Sequence, residues 1–152
     1  MKVLVVGSGG REHAVIRKLK ESAWKPEIIC APGNGGISAD AECVEIKATD
    51  IAGMVDYALS HKVDYVVVTP DDPLALGMVD ALKEAGIPAF GPTKAAARIE
   101  ASKVFSKNLM EKYGIPTAKY EVFESAREAA AYVRKENTYP TAVSYTHLTL
   151  PT

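Results

Sequence analysis

The stretch of this sequence best equipped for chemistry is Gly7-Ser8-Gly9-Gly10-Arg11-Glu12-His13, which directly follows an apolar run. Glycines let the backbone turn tightly and bring several amides close to a ligand. A helix starting at the same place points its free amides and the positive end of its dipole at that spot. Arg11 in the first helical turn adds a forked cation suited to phosphate. The residue types therefore describe an anion site, against the alternative of a tight turn without a ligand. A nicotinamide or flavin dinucleotide is disfavoured, because the GxGxxG spacing would place glycine at position 12, where this chain has Glu12. An acidic residue should also end the second strand to hold the ribose; the chain there reads Ala31-Pro32-Gly33-Asn34-Gly35-Gly36.

Two further loops offer polar groups. Asn34 carries an amide that can both donate to and accept from a sugar, among glycines that also serve as turn punctuation. Thr69-Pro70-Asp71-Asp72-Pro73 is stiffened by two prolines and offers two carboxylates to ribose hydroxyls or an amine. Asp72 has a plainer role open to it as the cap of the helix that follows. Phosphate donors, an amide and carboxylates from three loops suit a phosphorylated sugar. No complete nucleophile, base or metal constellation is legible. His13, His61 and His147 are scattered, and Cys30 and Cys43 lack metal-ligand or CxxC spacing, so both are expected as buried free thiols.

The elements that must position these loops alternate between short β-branched runs and helical patterns, the signature of a parallel sheet flanked by helices. Strands are expected at Lys2–Val6, Glu27–Cys30, Glu42–Ile46, Val63–Thr69 and Ile87–Phe90. Helices are expected at Arg11–Glu21, at Ile51–Ser60 capped by Asp50, and at Leu74–Ala85. The fold class is α/β, a Rossmann-like doubly wound sheet, and it brings the three loops to one edge. From Thr93 the texture changes to a long helical stretch interrupted near Ala101-Ser102, then a strand-like Ala118–Phe123 and an alanine-rich helix over Ser125–Glu136. The domain boundary is placed near Ser102.

With 152 residues there is room for one domain and a piece of a second. The 18 basic and 19 acidic residues leave a formal charge of -1, which gives no field to attract nucleic acid or anionic lipid. A hydrophobic share of 47% and a charged share of 24% fit an ordinary globular protein. The apolar run Val3–Val6 is too short for a signal peptide or a membrane span, so a cytoplasmic protein is expected.

Gly7 to Ala14, Ala31 to Gly36, Pro70 to Leu74, Phe90 to Thr93 and Ile99 to Lys107 closely resemble, in sequence and in order, the glycinamide ribonucleotide synthetase (phosphoribosylamine-glycine ligase) family of ATP-grasp enzymes. The resemblance covers residues 1 to about 143. It implies a carbon-nitrogen ligase of purine biosynthesis that phosphorylates the carboxylate of glycine with ATP and magnesium (or manganese). The amine of 5-phosphoribosylamine then attacks the acyl phosphate. It further implies that Gly9, Gly10 and Arg11 serve the phosphate or ribose, that Glu12 and His13 support their loop, and that Asn34, Asp71 and Asp72 line the pocket. Lys103 approaches the nucleotide phosphates; no catalytic residue and no metal ligand is expected in this chain. The domains it implies are a substrate-side domain over 1–101, the start of an ATP-grasp domain over 102–143, and a foreign or out-of-frame tail over 144–152. Ala101 departs from the family's glycine, and the tail departs from its glycine-rich ATP loop, so the chain by itself is expected to be inactive, with Val122, Phe123 and Val133 poorly buried. Two other classes remain: a dinucleotide-binding oxidoreductase domain, and a non-catalytic sugar-phosphate or nucleotide-binding module.

Overall fold

A computed structural model describes residues 1–137 and 139; the expected foreign tail over 144–152 lies outside the described residues. The chain forms two compact units, Met1–Ala97 and a second that begins at Arg98.

The first unit is a five-stranded, all-parallel sheet: β1 (Lys2–Gly7), β2 (Glu27–Pro32), β3 (Glu42–Cys43), β4 (Tyr65–Val68) and β5 (Ala89–Phe90) in the order β3-β2-β1-β4-β5. The crossover helices are α1 (Gly10–Lys20), α2 (Ile51–Ser60), α3 (Asp71–Leu76) and α4 (Met78–Glu84). From Val3 to Val6 β1 is apolar because helices cover both its faces. Leu4 and Val6 join Ile29, Val66, Met54 and Leu82 on the α2 and α4 side, whereas Val3 and Val5 join Ile16, Ile28 and Cys30 on the α1 side. Leu4, Ile16 and Ile29 are fully buried, each worth roughly 1.5–3 kcal/mol. Asp50 caps α2 as expected, its carboxylate accepting from the Gly53 amide at 3.0 Å.

Three expectations are corrected. β3 ends at Cys43 because the Ile46 amide turns back to the Val44 carbonyl at 2.8 Å, a tight turn that takes the chain out of the ladder. The helix expected over Leu74–Ala85 starts earlier, at Asp71, and is split at Gly77, whose left-handed φ of 101° caps α3 and restarts the chain as α4. With Pro70 at the N-cap and Asp72 inside the first turn, Asp72 does not cap this helix.

The second unit begins inside a helix and holds two more. α5 (Lys94–Ala101) starts in the first unit; α6 (Lys103–Lys112) and α7 (Ala126–Glu136) are capped by Ser102 and Ser125. Ala118–Phe123 is not a strand. It bonds to α6 instead: the Tyr120 hydroxyl lies 2.8 Å from both Asn108 Oδ1 and Glu111 Oε2, and the Lys107 ammonium donates to the Ala118 carbonyl at 3.0 Å. No described residue after Ala97 is buried, and Val122 is 48% exposed, with Phe123 and Val133 half-buried.

Candidate functional site

In a parallel sheet all strands deliver their carboxyl ends to one edge, and ligands of doubly wound folds sit where the strand order reverses. Here that place lies beside β1 and β4. The turn after β1, the turn after β2 and the start of α3 after β4 all open there, bringing Gly9, Asn34 and Asp71 to the same edge.

Glu12 holds this edge together. It is 3% exposed, the one charged residue among the buried described residues. One carboxylate oxygen accepts the Gly9 amide at 2.6 Å, satisfying the N-cap donor at the start of α1, and the other accepts the Thr69 hydroxyl at the end of β4. The β1 turn and the β4 turn are thus bolted to one carboxylate. Gly7 has no room for a side chain, since a Cβ would stand 2.7 Å from Glu12 Cγ and 2.8 Å from Pro70 Cγ, and its φ of 127° is left-handed. This geometry alters the reading of Gly9. Its amide is committed to Glu12, so the helix-start donors left for an anion are the amides of Gly10, Arg11 and Glu12, because the first intrahelical bond is made by His13.

The Arg11 guanidinium is 66% exposed and stands 3.8 Å from the Asp71 carboxylate, which is 28% exposed. That distance is an ion pair without a bidentate clasp, so the fork remains available to an anion. Asp72 is exposed one residue further on.

Asn34 acts mainly within its own turn. Its Nδ2 donates to the Ser8 carbonyl at 2.6 Å, and its Oδ1 accepts from the Gly36 and Ile37 amides at 2.8 and 2.9 Å. The side chain staples the second loop to the first and has one N–H left for a sugar. His13 faces the same turn: its Nε2 lies 2.8 Å from Asp40 Oδ2, and the other carboxylate oxygen receives the Lys20 ammonium at 2.6 Å. Asp40 is held down to about 2, first by the Lys20 hydrogen bond and then by His13. Thr69 and Asp40 were not legible as site residues. Thr69 stood in a loop read for its carboxylates, and Asp40 lies in a polar segment with no motif.

Lys103 is exposed in the first turn of α6, in the second unit. Among the described residues no group of three or more His, Cys, Asp or Glu could hold a metal ion. No helix among them is long and apolar enough to cross a membrane.

A doubly wound parallel sheet with a glycine turn entering α1 at its switch point defines a Rossmann-like α/β domain with a phosphate-type turn. The phosphoribosylglycinamide synthetase N domain matches residues 1–100, and the ATP-grasp (A) domain of the same family matches residues 101–150. The chain belongs to the phosphoribosylglycinamide synthetase family. It is 47% identical over 143 residues to a phosphoribosylamine–glycine ligase of Caldanaerobacter subterraneus, covering 94% of this chain and 34% of the relative. With the Listeria monocytogenes ligase it shares 52% over 134 residues, covering 88% and 32%. The chain thus spans about a third of the length of the curated relatives it matches. Among solved structures, the Thermotoga maritima phosphoribosylamine–glycine ligase superposes with a TM-score of 0.63 at 31% identity, over 89% of this chain and 30% of that one. The biotin carboxylase domain of a single-chain bacterial carboxylase, at 16% identity and a TM-score of 0.65 over 90% and 34%, shares the fold alone. The oxidoreductase alternative is not favoured, and the geometry gives a reason: the position where a dinucleotide turn needs glycine holds a buried carboxylate that takes the Gly9 amide.

Proposed function

We propose that this chain is the amino-terminal, sugar-phosphate-binding part of an ATP-dependent ligase that joins glycine to 5-phosphoribosylamine. The observation that carries this reading is the meeting of three loops at the carboxyl edge of β1, β2 and β4, with Arg11 and the start of α1 facing out from it. In this reading residues 1–101 are the substrate-side domain and 102–143 the beginning of the ATP-grasp domain. The protein works in the cytoplasm on small molecules: phosphoribosylamine, glycine and ATP.

The 5-phosphate docks on the Gly10 and Arg11 amides and the Arg11 guanidinium. The dipole of α1 and a forked cation then act on the same oxygens. Asp71, released from Arg11 as the phosphate takes the cation, accepts from ribose hydroxyls or the amine. The remaining N–H of Asn34 donates to the sugar, and Asp72 lines the rim. Glu12, His13 and Asp40 touch no substrate; they hold the loops that do. Holding the amine of phosphoribosylamine at a fixed place is this domain's share of catalysis, because an oriented nucleophile avoids the entropy cost of meeting the acyl phosphate. ATP, reached by Lys103, drives formation of that acyl phosphate in the parent enzyme, and magnesium or manganese belongs to the parent's nucleotide site. No group among the described residues is assigned a catalytic role.

The test is calorimetric titration of the chain with ribose 5-phosphate. Loss of one charge-assisted phosphate contact costs roughly 1.5–3 kcal/mol, so Arg11→Ala is expected to weaken binding by about tenfold to a hundredfold. Equal affinity in the two proteins removes Arg11 from the site.

A further inference from the structure

We propose that Cys30 and Cys43 are a two-electron redox pair under the glycine loops, which a hydroperoxide converts to an intramolecular disulfide that loosens the Gly7–Gly10 and Asn34 turns. Both thiols are free. They are register partners on the adjacent parallel strands β2 and β3, and Cys43 packs against the α1-side core cluster that contains Cys30. Neighbouring strands run about 4.8 Å apart, within the Cα separations of roughly 4.4–6.8 Å that a disulfide spans. Gly33 opens the space between them. The place where its side chain would begin is filled by the Cys43 sulfur, and that same place is 3.6 Å from Cys30 Cβ.

Each sulfur also touches a site loop. The Cys30 thiol donates to the Gly7 carbonyl at 3.3 Å, the carbonyl that also accepts the Gly33 amide at 3.0 Å. The Cys43 sulfur lies 3.9 Å from the Asn34 carbonyl. Cys43 is half-buried and Cys30 fully buried, so a small oxidant meets Cys43 first. Burial, and then the neighbouring Cys43, push the Cys30 thiol up to about 12, so Cys30 stays protonated and Cys43 is the group that meets the oxidant.

The chemistry runs in two steps. The Cys43 thiolate attacks the hydroperoxide, forming an S–O bond and breaking the O–O bond; the departing alkoxide takes up a proton and Cys43 becomes a sulfenic acid. The Cys30 sulfur then attacks the Cys43 sulfur. An S–S bond forms, the S–O bond breaks, and water leaves carrying the Cys30 proton. Two thiols lose two electrons, and the hydroperoxide is reduced to an alcohol and water. Closure removes the S–H donor from the Gly7 carbonyl and draws β3 and the Asn34 turn toward β2. Any effect on ligand affinity rests on the sugar-phosphate reading above.

The full chain is reduced, treated with hydrogen peroxide and examined by peptide mass spectrometry and amide hydrogen exchange. The expected result is a monomer lighter by two hydrogens, a Cys30–Cys43 cross-linked peptide, and faster exchange at residues 7–10 and 34–36, all reversed by dithiothreitol. Cys43→Ser abolishes the cross-link. Cys30→Ser does the same, with Cys30→Ala as the second variant if the serine fails to fold. Ribose 5-phosphate affinity falls by about tenfold on oxidation and returns on reduction. The proposal is overturned if Cys43 proceeds to a sulfinic acid or links two chains while Cys30 stays reduced, or if the cross-link forms without a change in loop exchange. A reduced chain that binds no sugar phosphate sinks the site reading instead, and the redox pair is then judged on cross-link and exchange alone.

Discussion

Replacing Glu12 tests the joint on which the edge depends. Glu12 is 3% exposed and its carboxylate accepts from the Gly9 amide and the Thr69 hydroxyl, so Glu12→Ala deletes two charge-assisted hydrogen bonds, one to the exposed Gly9 turn and one to the half-buried Thr69. At roughly 1.5–3 kcal/mol for a bond to a charged group, and allowing for overlap between two bonds to one carboxylate, the loss is about 3–5 kcal/mol. Against a total stability of roughly 5–15 kcal/mol for a small domain, that brings the first unit near its threshold. Glu12→Gln keeps one acceptor but sets an NH2 against one donor, for a loss of about 1.5–3 kcal/mol. Thr69→Val removes only the β4 end of the joint and costs about 1–2 kcal/mol. The assay is urea unfolding followed by far-ultraviolet circular dichroism. A double-mutant cycle over Glu12→Gln and Thr69→Val reads the coupling between them. If Glu12→Ala leaves stability within about 0.5 kcal/mol of the unaltered chain, the carboxylate is not the joint and the reasoning is refuted.

Two other perturbations follow from the same geometry. Asn34→Ala loses three hydrogen bonds at an exposed turn and is expected to cost about 1–3 kcal/mol in urea unfolding, whereas Asn34→Asp keeps the two bonds to Oδ1 and costs less. Asp40 is held at about 2, below its ordinary 3.8, so it adds stability above pH 3.8 that disappears as the pH falls through about 2. In acid titrations of the unfolding midpoint, Asp40→Asn is expected to flatten that limb of the profile; an unchanged acid limb contradicts the assignment.

Much of the first unit was written in local patterns. Val3–Val6 is apolar on both faces because a central parallel strand has no solvent side, and Asp50 ahead of Ile51 announced a cap that the structure forms. The errors fall where tertiary context decides. The stretch Val44–Ile46 reads as more strand, but after Val44, whose amide still donates to the Cys30 carbonyl at 3.0 Å, the chain turns at Ile46 and leaves the sheet. Ala118–Phe123 reads as strand-like, but an isolated strand cannot satisfy its backbone, and among the described residues none pairs with it. At the site, residue types marked the right loops but not the division of labour within them. Gly9 and Asn34 read as ligand donors, yet Glu12 and the Asn34 turn itself use most of that capacity. Such commitments between residues distant in sequence, as from Glu12 to Thr69 or from His13 to Asp40, appear only once the strands are in register.

The central claim is that one edge of the sheet holds a sugar phosphate. It is tested most directly by titrating ribose 5-phosphate into isotope-labelled chain and following backbone amide resonances. The account predicts saturable shifts centred on Gly10 and Arg11, with smaller ones at Gly35 and Asp71 and none on the opposite edge near Lys2 and Glu27. Shifts confined to other parts of the chain, or none at phosphate-sugar concentrations that saturate the parent enzyme, contradict it.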